Sequence, residues 1–221
     1  MSFRAWNERW ENGRIGFHEP EVNTFLQAHW NAIEPGERVF VPLCGKSLDL
    51  TWLAERGHDV IGVEFVEAAV VQFFEEAGWE PTITTVSGGR CYRYGAITLY
   101  AADLFALDAA AIGRCDCLYD RAALVALPAH QRPAYAAAVL NFLNPSARGL
   151  VVTLAYEQAR MDGPPYAVLD DELIELFGAS VQWQRLHSDP AAIARNPKFR
   201  ERGVDRLEEI VWSLQRRPII G

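Results

Sequence analysis

The chain has 221 residues, 50% of them hydrophobic, and 29 acidic against 21 basic side chains leave a formal charge of −8. That length suits one domain with a substantial core, and the acidic balance, without a lysine- or arginine-rich run, makes nucleic acid and anionic membranes poor partners. Its four cysteines, at 44, 91, 115 and 117, show neither zinc-finger spacing nor a C-x-x-C pair, so no metal site is expected and a reducing cytoplasm fits.

The first 37 residues carry Trp6, Trp10, Phe17, Phe25 and Trp30, too aromatic a set for a flexible tail. Neither a basic n-region with an apolar core nor an apolar run of about eighteen residues is present, so no signal peptide and no membrane span is expected. Asn12-Gly13 and Gly16 break a first helix, and residues 1–37 are expected to fold as a helical lid over the core at 38–221. Pro35-Gly36 then turns the chain into its first strand.

Arg38-Val-Phe-Val-Pro-Leu-Cys-Gly-Lys-Ser47 predicts a strand, a tight turn and a helix N-cap. Leu50, Leu53 and Ala54 follow at helical spacing until Gly57, and Asp59-Val-Ile-Gly-Val-Glu64 predicts a second strand ending in a carboxylate. In an open α/β sheet that order holds a nucleoside: the glycine turn admits the ligand, and an acidic residue about 20 positions on accepts both ribose hydroxyls. Here Glu64 follows Gly45 by nineteen positions. A phosphate-binding P-loop would need glycine at position 40, which is Phe40, and a dinucleotide fingerprint would need a second glycine two positions from Gly45. A nucleoside without phosphate remains, and S-adenosylmethionine fits that description. A purely structural βα turn explains these two residues equally well.

Further along, Val66, Ala69, Val70, Phe73, Phe74 and Ala77 share one helical face, closed by Gly78. Ile97 to Asp103 predicts a third strand, with Asp103 beside Leu104-Phe105; an acceptor next to apolar side chains suits an adenine, and a helix cap is the competing role. Cys115 to Arg121 predicts a fourth strand, with Cys115 and Cys117 on one face and the charged pair Asp120-Arg121 at its carboxyl end. Ligand crevices in such sheets lie beyond the carboxyl ends, so Glu64, Asp103 and Asp120-Arg121 are expected to converge there. Gln131 to Leu143 predicts a helix ended by Asn144-Pro145, and Gly149 to Ala155 a strand buried on both faces. Gly163-Pro164-Pro165 makes a stiff loop without amide donors, suited to a flat apolar ring or simply to a rigid turn. Asp170 to Phe177 predicts a short helix, and β-rich runs near Val181 and Ile210 complete the sheet. The alternation defines a doubly wound, mostly parallel α/β sheet of Rossmann-like type.

Several of these segments resemble the thiopurine S-methyltransferase family, particularly its bacterial branch. They are Trp6-Asn-Glu-Arg-Trp10 with Gly13 and Gly16-Phe-His18, Val41-Pro-Leu-Cys-Gly-Lys-Ser47, Arg56-Gly-His58, Gly62-Val-Glu64, Tyr119-Asp-Arg121, Gly163-Pro-Pro165 and, near the end, Gly203-Val-Asp205. The resemblance covers nearly the whole chain. It implies a class I methyltransferase fold with an antiparallel strand near the C-terminus and S-adenosylmethionine as donor, leaving S-adenosylhomocysteine. It further implies a thiol, selenium or tellurium acceptor. By position it assigns Trp10, Leu43, Gly45, Glu64, Asp103, Leu104 and Arg121 to the cofactor, with Phe17, Pro164 and Pro165 at the substrate. Arg121 would lie near both donor and acceptor, and Lys198 falls where relatives carry a basic residue lining the pocket.

The chemistry suits those residue types. Methyl transfer from a sulfonium to a thiolate neutralises opposite charges, so it gains most from near-attack positioning in a dry site. An aromatic thiol is already substantially ionised near neutral pH; Arg121 would favour its thiolate and orient its ring, but cannot act as a base. Trp10 and Phe17 can hold a sulfonium by cation–π attraction, although aromatics mostly fill cores. Cys44 beside the turn is a potential nucleophile that burial would silence. The expectation is therefore a monomeric, cytoplasmic methyltransferase acting on small thiols or heavier chalcogens, with Arg121 as its catalytic residue. A halide, thiocyanate or aliphatic thiol methyltransferase and a non-catalytic S-adenosylmethionine sensor are the alternatives.

Overall fold

The computed structural model describes Glu8, Trp10 and residues 19–217. The expected break in the first helix, and the assignment of Phe17 with its neighbour His18, lie outside the described residues.

Nine strands form one sheet in the order β3-β4-β5-β2-β1-β6-β7-β9-β8. β1 (Arg38–Pro42), β2 (Asp59–Glu64), β5 (Ile97–Ala102), β6 (Cys115–Arg121) and β7 (Leu143–Ala155) run parallel. These strands are apolar because both sheet faces are covered. Val39, Phe40, Val60, Ile61 and Val63 are all buried, and a Cβ on Gly62 would lie 2.5 Å from Leu99 Cδ2 and 2.8 Å from Cys44 Sγ. That glycine lets the turn after β1 sit directly against the neighbouring strand.

α1 (Thr24–His29), α2 (Leu48–Glu55) and α3 (Glu67–Ala77) pack on one face, where Leu26, Leu50, Leu53, Val70 and Phe73 join Val39, Val41, Tyr119 and Val152. α4 (Ala109–Ile112), α5 (Arg132–Phe142) and α6 (Asp170–Phe177) pack on the other, where Tyr135, Val139, Phe142 and Leu173 meet Phe40, Ile61, Leu118 and Val151. The sheet is therefore doubly wound. Strand order leaves β1 in two directions, toward β2 and toward β6, which creates a topological switch point at their carboxyl ends.

Two regions extend that core. β9 (Glu208–Arg216) is antiparallel to both β7 and β8 (Val181–Asp189), matching the antiparallel strand expected near the C-terminus. At the opposite edge, β3 (Thr82–Val86) and β4 (Gly89–Tyr94) form a hairpin that pairs antiparallel with β5. This hairpin was not foreseen, although Thr82-Ile-Thr-Thr-Val and the Ser87-Gly88-Gly89 turn carry the usual strand and turn residues.

α1 is pinned to the core at both ends. Asn23 caps it, accepting from the N–H groups of Phe25 and Leu26, and its own N–H donates to buried Asp49 Oδ1 at 2.8 Å. Asp49 Oδ2 accepts from Tyr119 at 2.8 Å, and Trp30 Nε1 donates to His58 Nε2 at 3.0 Å. Such satisfied buried polar groups fix one position for α1 across the sheet.

Other local expectations need correction. Cys115 and Cys117 are both fully buried but on opposite faces, because a register shift between them in the β6–β7 pairing breaks the alternation. Ala77 ends α3 exposed rather than on its apolar face. The helix does end before Asn144-Pro145, at Phe142, but the strand expected from Gly149 already begins at Leu143, and Asn144 Nδ2 donates to Asp116 at 2.7 Å. Among the described residues no helix is long and apolar enough to cross a membrane.

Candidate active site

β1 delivers the chain into a turn in which Leu43 and Gly45 both adopt left-handed backbone, with φ of 46° and 55°. For leucine that conformation costs about 1–2 kcal/mol. The surroundings hold it: Cys44 N–H donates to the Val63 carbonyl at 3.1 Å, and Gly45 N–H donates to Glu64 Oε2 at 2.9 Å. Glu64 Oε1 accepts from Val66 N–H at 2.8 Å. Burial raises the Glu64 carboxyl above the ordinary range, and the amides of Val66, Gly45 and Phe65 oppose that shift. A carboxylate has about four acceptor directions, so Glu64 clamps the turn and still has capacity for hydroxyl donors.

Trp10 packs on Val66 and Ala69 and roofs the turn, its indole lying 3.3 Å from where a Gly45 Cβ would be. At the end of β5, Asp103 Oδ1 accepts from Phe105 N–H at 2.9 Å, while Leu104 is buried and Phe105 exposed. The two roles weighed for Asp103 are thus compatible: it caps its own turn and lines the cleft. Cys44 is buried and its thiol is pushed well up, first by burial and then by Glu64, which keeps it un-ionised and inert.

At the end of β6 the charged pair divides. Asp120 does not line the cleft. Its carboxylate takes Tyr135 O–H at 2.6 Å and the N–H groups of Leu124 and Ala123 at 3.1 and 3.3 Å, and burial raises it to about 6. Neighbours on a strand point to opposite faces, so Asp120 goes beneath toward α5 while Arg121 goes to the cleft. Ala122, at φ 67°, follows as a second non-glycine residue in left-handed backbone. Arg121 pairs with Glu19 at 3.5 Å.

Beyond Arg121 the cleft widens. Pro164 and Pro165 form part of its wall, held by Tyr156 O–H donating to the Pro165 carbonyl at 2.7 Å and Tyr166 N–H donating to Val125 O at 2.6 Å. Arg132, almost fully buried, braces this loop by donating to the carbonyls of Leu127 and Ala167 and to Glu172. The far wall comes from β8, β9, α7 (Ala192–Arg195) and α8 (Pro197–Glu201), with Lys198 and Phe199 among its side chains.

The whole cleft measures about 1360 Å³, more than one drug-sized ligand occupies. It therefore has room for two ligands, and the part around Gly45, Glu64 and Asp103 is called its first lobe and the part around Pro164, Pro165 and Lys198 its second, with Arg121 lining the same cleft. Trp10, Leu43, Gly45, Glu64, Asp103, Leu104, Arg121, Pro164 and Pro165 all line it. Sequence reasoning missed Glu19, Asp189, Arg195 and Glu209, which also line it. Their convergence depends on strand register and on α7, neither of which local patterning specifies.

Comparisons with known proteins agree with this architecture. A family model described as thiopurine S-methyltransferase matches residues 1–217. A thiopurine S-methyltransferase of Azotobacter vinelandii is 48% identical over 215 residues, covering 96% of this chain and 98% of the relative. One of Bordetella petrii is 44% identical over 224 residues, covering 98% and 99%. Among solved structures, a Burkholderia thailandensis 1,6-didemethyltoxoflavin-N1-methyltransferase, with 1,6-didemethyltoxoflavin and S-adenosylhomocysteine bound, superposes with a TM-score of 0.61 at 18% identity, covering 97% of this chain and 87% of that one.

Fold and site define a class I, S-adenosylmethionine-dependent methyltransferase. The turn at Gly45, with Glu64 still able to accept and Trp10 above it, fits such a group without any phosphate cradle. More narrowly, the chain belongs to the thiopurine S-methyltransferase family.

Proposed function

We propose that this enzyme methylates the sulfur of aromatic or heterocyclic thiols, with selenium and tellurium compounds as further acceptors. The observation that carries this reading is the shared cleft, in which Arg121 lines the same space as the Gly45–Glu64 turn and the Pro164–Pro165 wall. The bound donor supplies an electrophilic methyl on a sulfonium. In this reading Leu43 and Gly45 offer backbone to the nucleoside, Glu64 accepts from the ribose hydroxyls, and Asp103 with Leu104 receives the adenine. Trp10 faces the sulfonium, where its ring can stabilise positive charge. Arg121 holds the acceptor as thiolate through its planar fork, while Pro164 and Pro165 pack its ring. Most of the gain comes from holding sulfur and methyl at near-attack distance with water excluded. The whole of 1–221 acts as one monomeric cytoplasmic domain.

The test is methyl transfer from labelled S-adenosylmethionine to aromatic thiols, aliphatic thiols, selenite, tellurite and iodide. Preference for an aromatic thiol or a chalcogen oxyanion is the expected result. Preference for iodide would move the enzyme to the halide class, and cofactor binding without turnover of any acceptor would make it a sensor.

A further inference from the structure

The acceptor lobe contains a carboxylate that the proposed chemistry has not used. Arg121 pairs in register with Val152 on β7, Val152 with Val211 on β9, and Leu154 with Glu209. Residues directly opposite one another share a sheet face, as do residues two apart on a strand. Arg121 and Glu209 therefore rise from the same face with β7 between them, roughly 12 Å apart at the backbone, from two strand spacings across and two residues along. Both line the cleft.

The other acids of the cleft are committed elsewhere or, like Glu21 and Glu201, exposed to solvent. Glu64 holds two backbone amides and Asp103 caps its turn. Asp189 is bound tightly by Arg195, which also lowers its carboxyl, and Glu19 is more than half exposed and paired with Arg121. Glu209 differs from all of these. Its side chain is only 19% exposed, and its nearest ion-pair partner, Arg195 Nη2, stands at 3.9 Å, the outer limit of such a contact. The charged groups around it are Arg121 from β6, Arg195 from α7, Asp189 from β8 and Glu19 from the N-terminal segment. Burial raises its carboxyl and the two arginines oppose that shift. His187, one strand further out, is exposed and has its ring against Phe25 and His29.

We propose that Glu209 is the proton acceptor for thiol substrates that are not already ionised, and so sets how weakly acidic an acceptor this enzyme can use. The inference rests on the S-methylation reading above. The acceptor S–H bond breaks, its proton passes to the Glu209 carboxylate, and the sulfur forms a bond to the methyl carbon as the donor's sulfonium–methyl bond breaks and becomes a neutral thioether. Taking the proton also removes a negative charge beside the developing thiolate, leaving Arg121 less compensated there. Acidic aromatic thiols arrive as thiolates and bypass the step.

The experiment measures kcat/KM for wild type and Glu209→Gln across thiophenols with electron-withdrawing to electron-donating ring substituents, ending in an alkanethiol. Glu209→Gln is expected to change the most acidic thiophenol by less than about threefold and the alkanethiol by ~100-fold or more, the range of a lost general base. Loss of the acidic limb from the wild-type pH profile with the weakly acidic thiols should accompany it. Without any methyl donor, ultraviolet difference spectra of a bound, weakly acidic thiophenol should show thiolate with wild type and un-ionised thiol with Glu209→Gln. An equal loss across the series, or identical spectra, would overturn the proposal. Failure of the wild type itself to methylate any of these thiols would instead overturn the S-methylation reading, and the proposal with it.

Discussion

The two lobes of the cleft are built differently. The lobe around Gly45 is made from backbone that is close in sequence: two strands, one turn and a carboxylate clamped to amides on both of its oxygens. The lobe beyond Arg121 is made from side chains contributed by β6, β8, β9, α7 and the segment at Glu19, and many of its contacts are ion pairs. Backbone geometry of the first kind tolerates few substitutions and suits a ligand that never changes. Exposed and half-buried charges of the second kind are individually weak and exchangeable, which suits an acceptor site that has to be tuned. On the proposed reading, cofactor recognition belongs to the turn and acceptor selection to the charge network.

The largest expected effect is at Arg121, which the proposed reading puts between donor and acceptor. Arg121→Met should lower kcat/KM by ~100- to 1000-fold, as removal of a preorganised charge donor does, while calorimetry finds cofactor affinity changed far less. Equal losses in both measurements would assign Arg121 to the cofactor lobe alone. Next comes Glu64→Ala, which should weaken cofactor binding by about 1–3 kcal/mol through loss of a buried charged acceptor. Unchanged affinity in titration calorimetry would remove the basis for calling the first lobe a nucleoside site.

A smaller effect separates Asp120 from both lobes. Its folded-state carboxyl, raised to about 6 by burial, holds its proton more tightly than the unfolded chain's aspartate at about 3.9. The native state therefore binds more protons between those values, and stability from this group is present at low pH and lost as pH rises from about 4 to about 6. Relaxation around the buried group reduces the full linkage value, leaving about 1–2 kcal/mol. Asp120→Asn should abolish that slope in denaturant titrations and leave cofactor affinity intact; an unchanged slope would mean that Asp120 is ionised throughout.

Much of the first lobe was legible because its determinants are local. The Gly45 turn, the Ser47 cap and the carboxylate at Glu64 lie within one βαβ unit, and each residue type is demanded by a specific backbone contact. What failed depended on pairing with distant strands. Cys115 and Cys117 were expected on one face, and the register shift against β7 separates them. Asp120 was expected in the crevice beside Arg121, although strict alternation already argued against two adjacent residues sharing one direction. Glu209 carried no motif; only the β7–β9 register aligns it with Arg121. The β3–β4 hairpin was readable from its threonines and glycines but adds nothing to the site, so nothing in the chemistry called for it.

The most direct measurement is a crystal structure of the full chain with S-adenosylhomocysteine and an aromatic thiol bound together. The account predicts the ribose hydroxyls on Glu64, the adenine beside Asp103 and Leu104, and the thiol sulfur between Arg121 and the position of the transferred methyl, its ring against Pro164 and Pro165. An adenosyl group bound away from Glu64, or a thiol seated outside the lobe that Arg121 and Glu209 share, would contradict it.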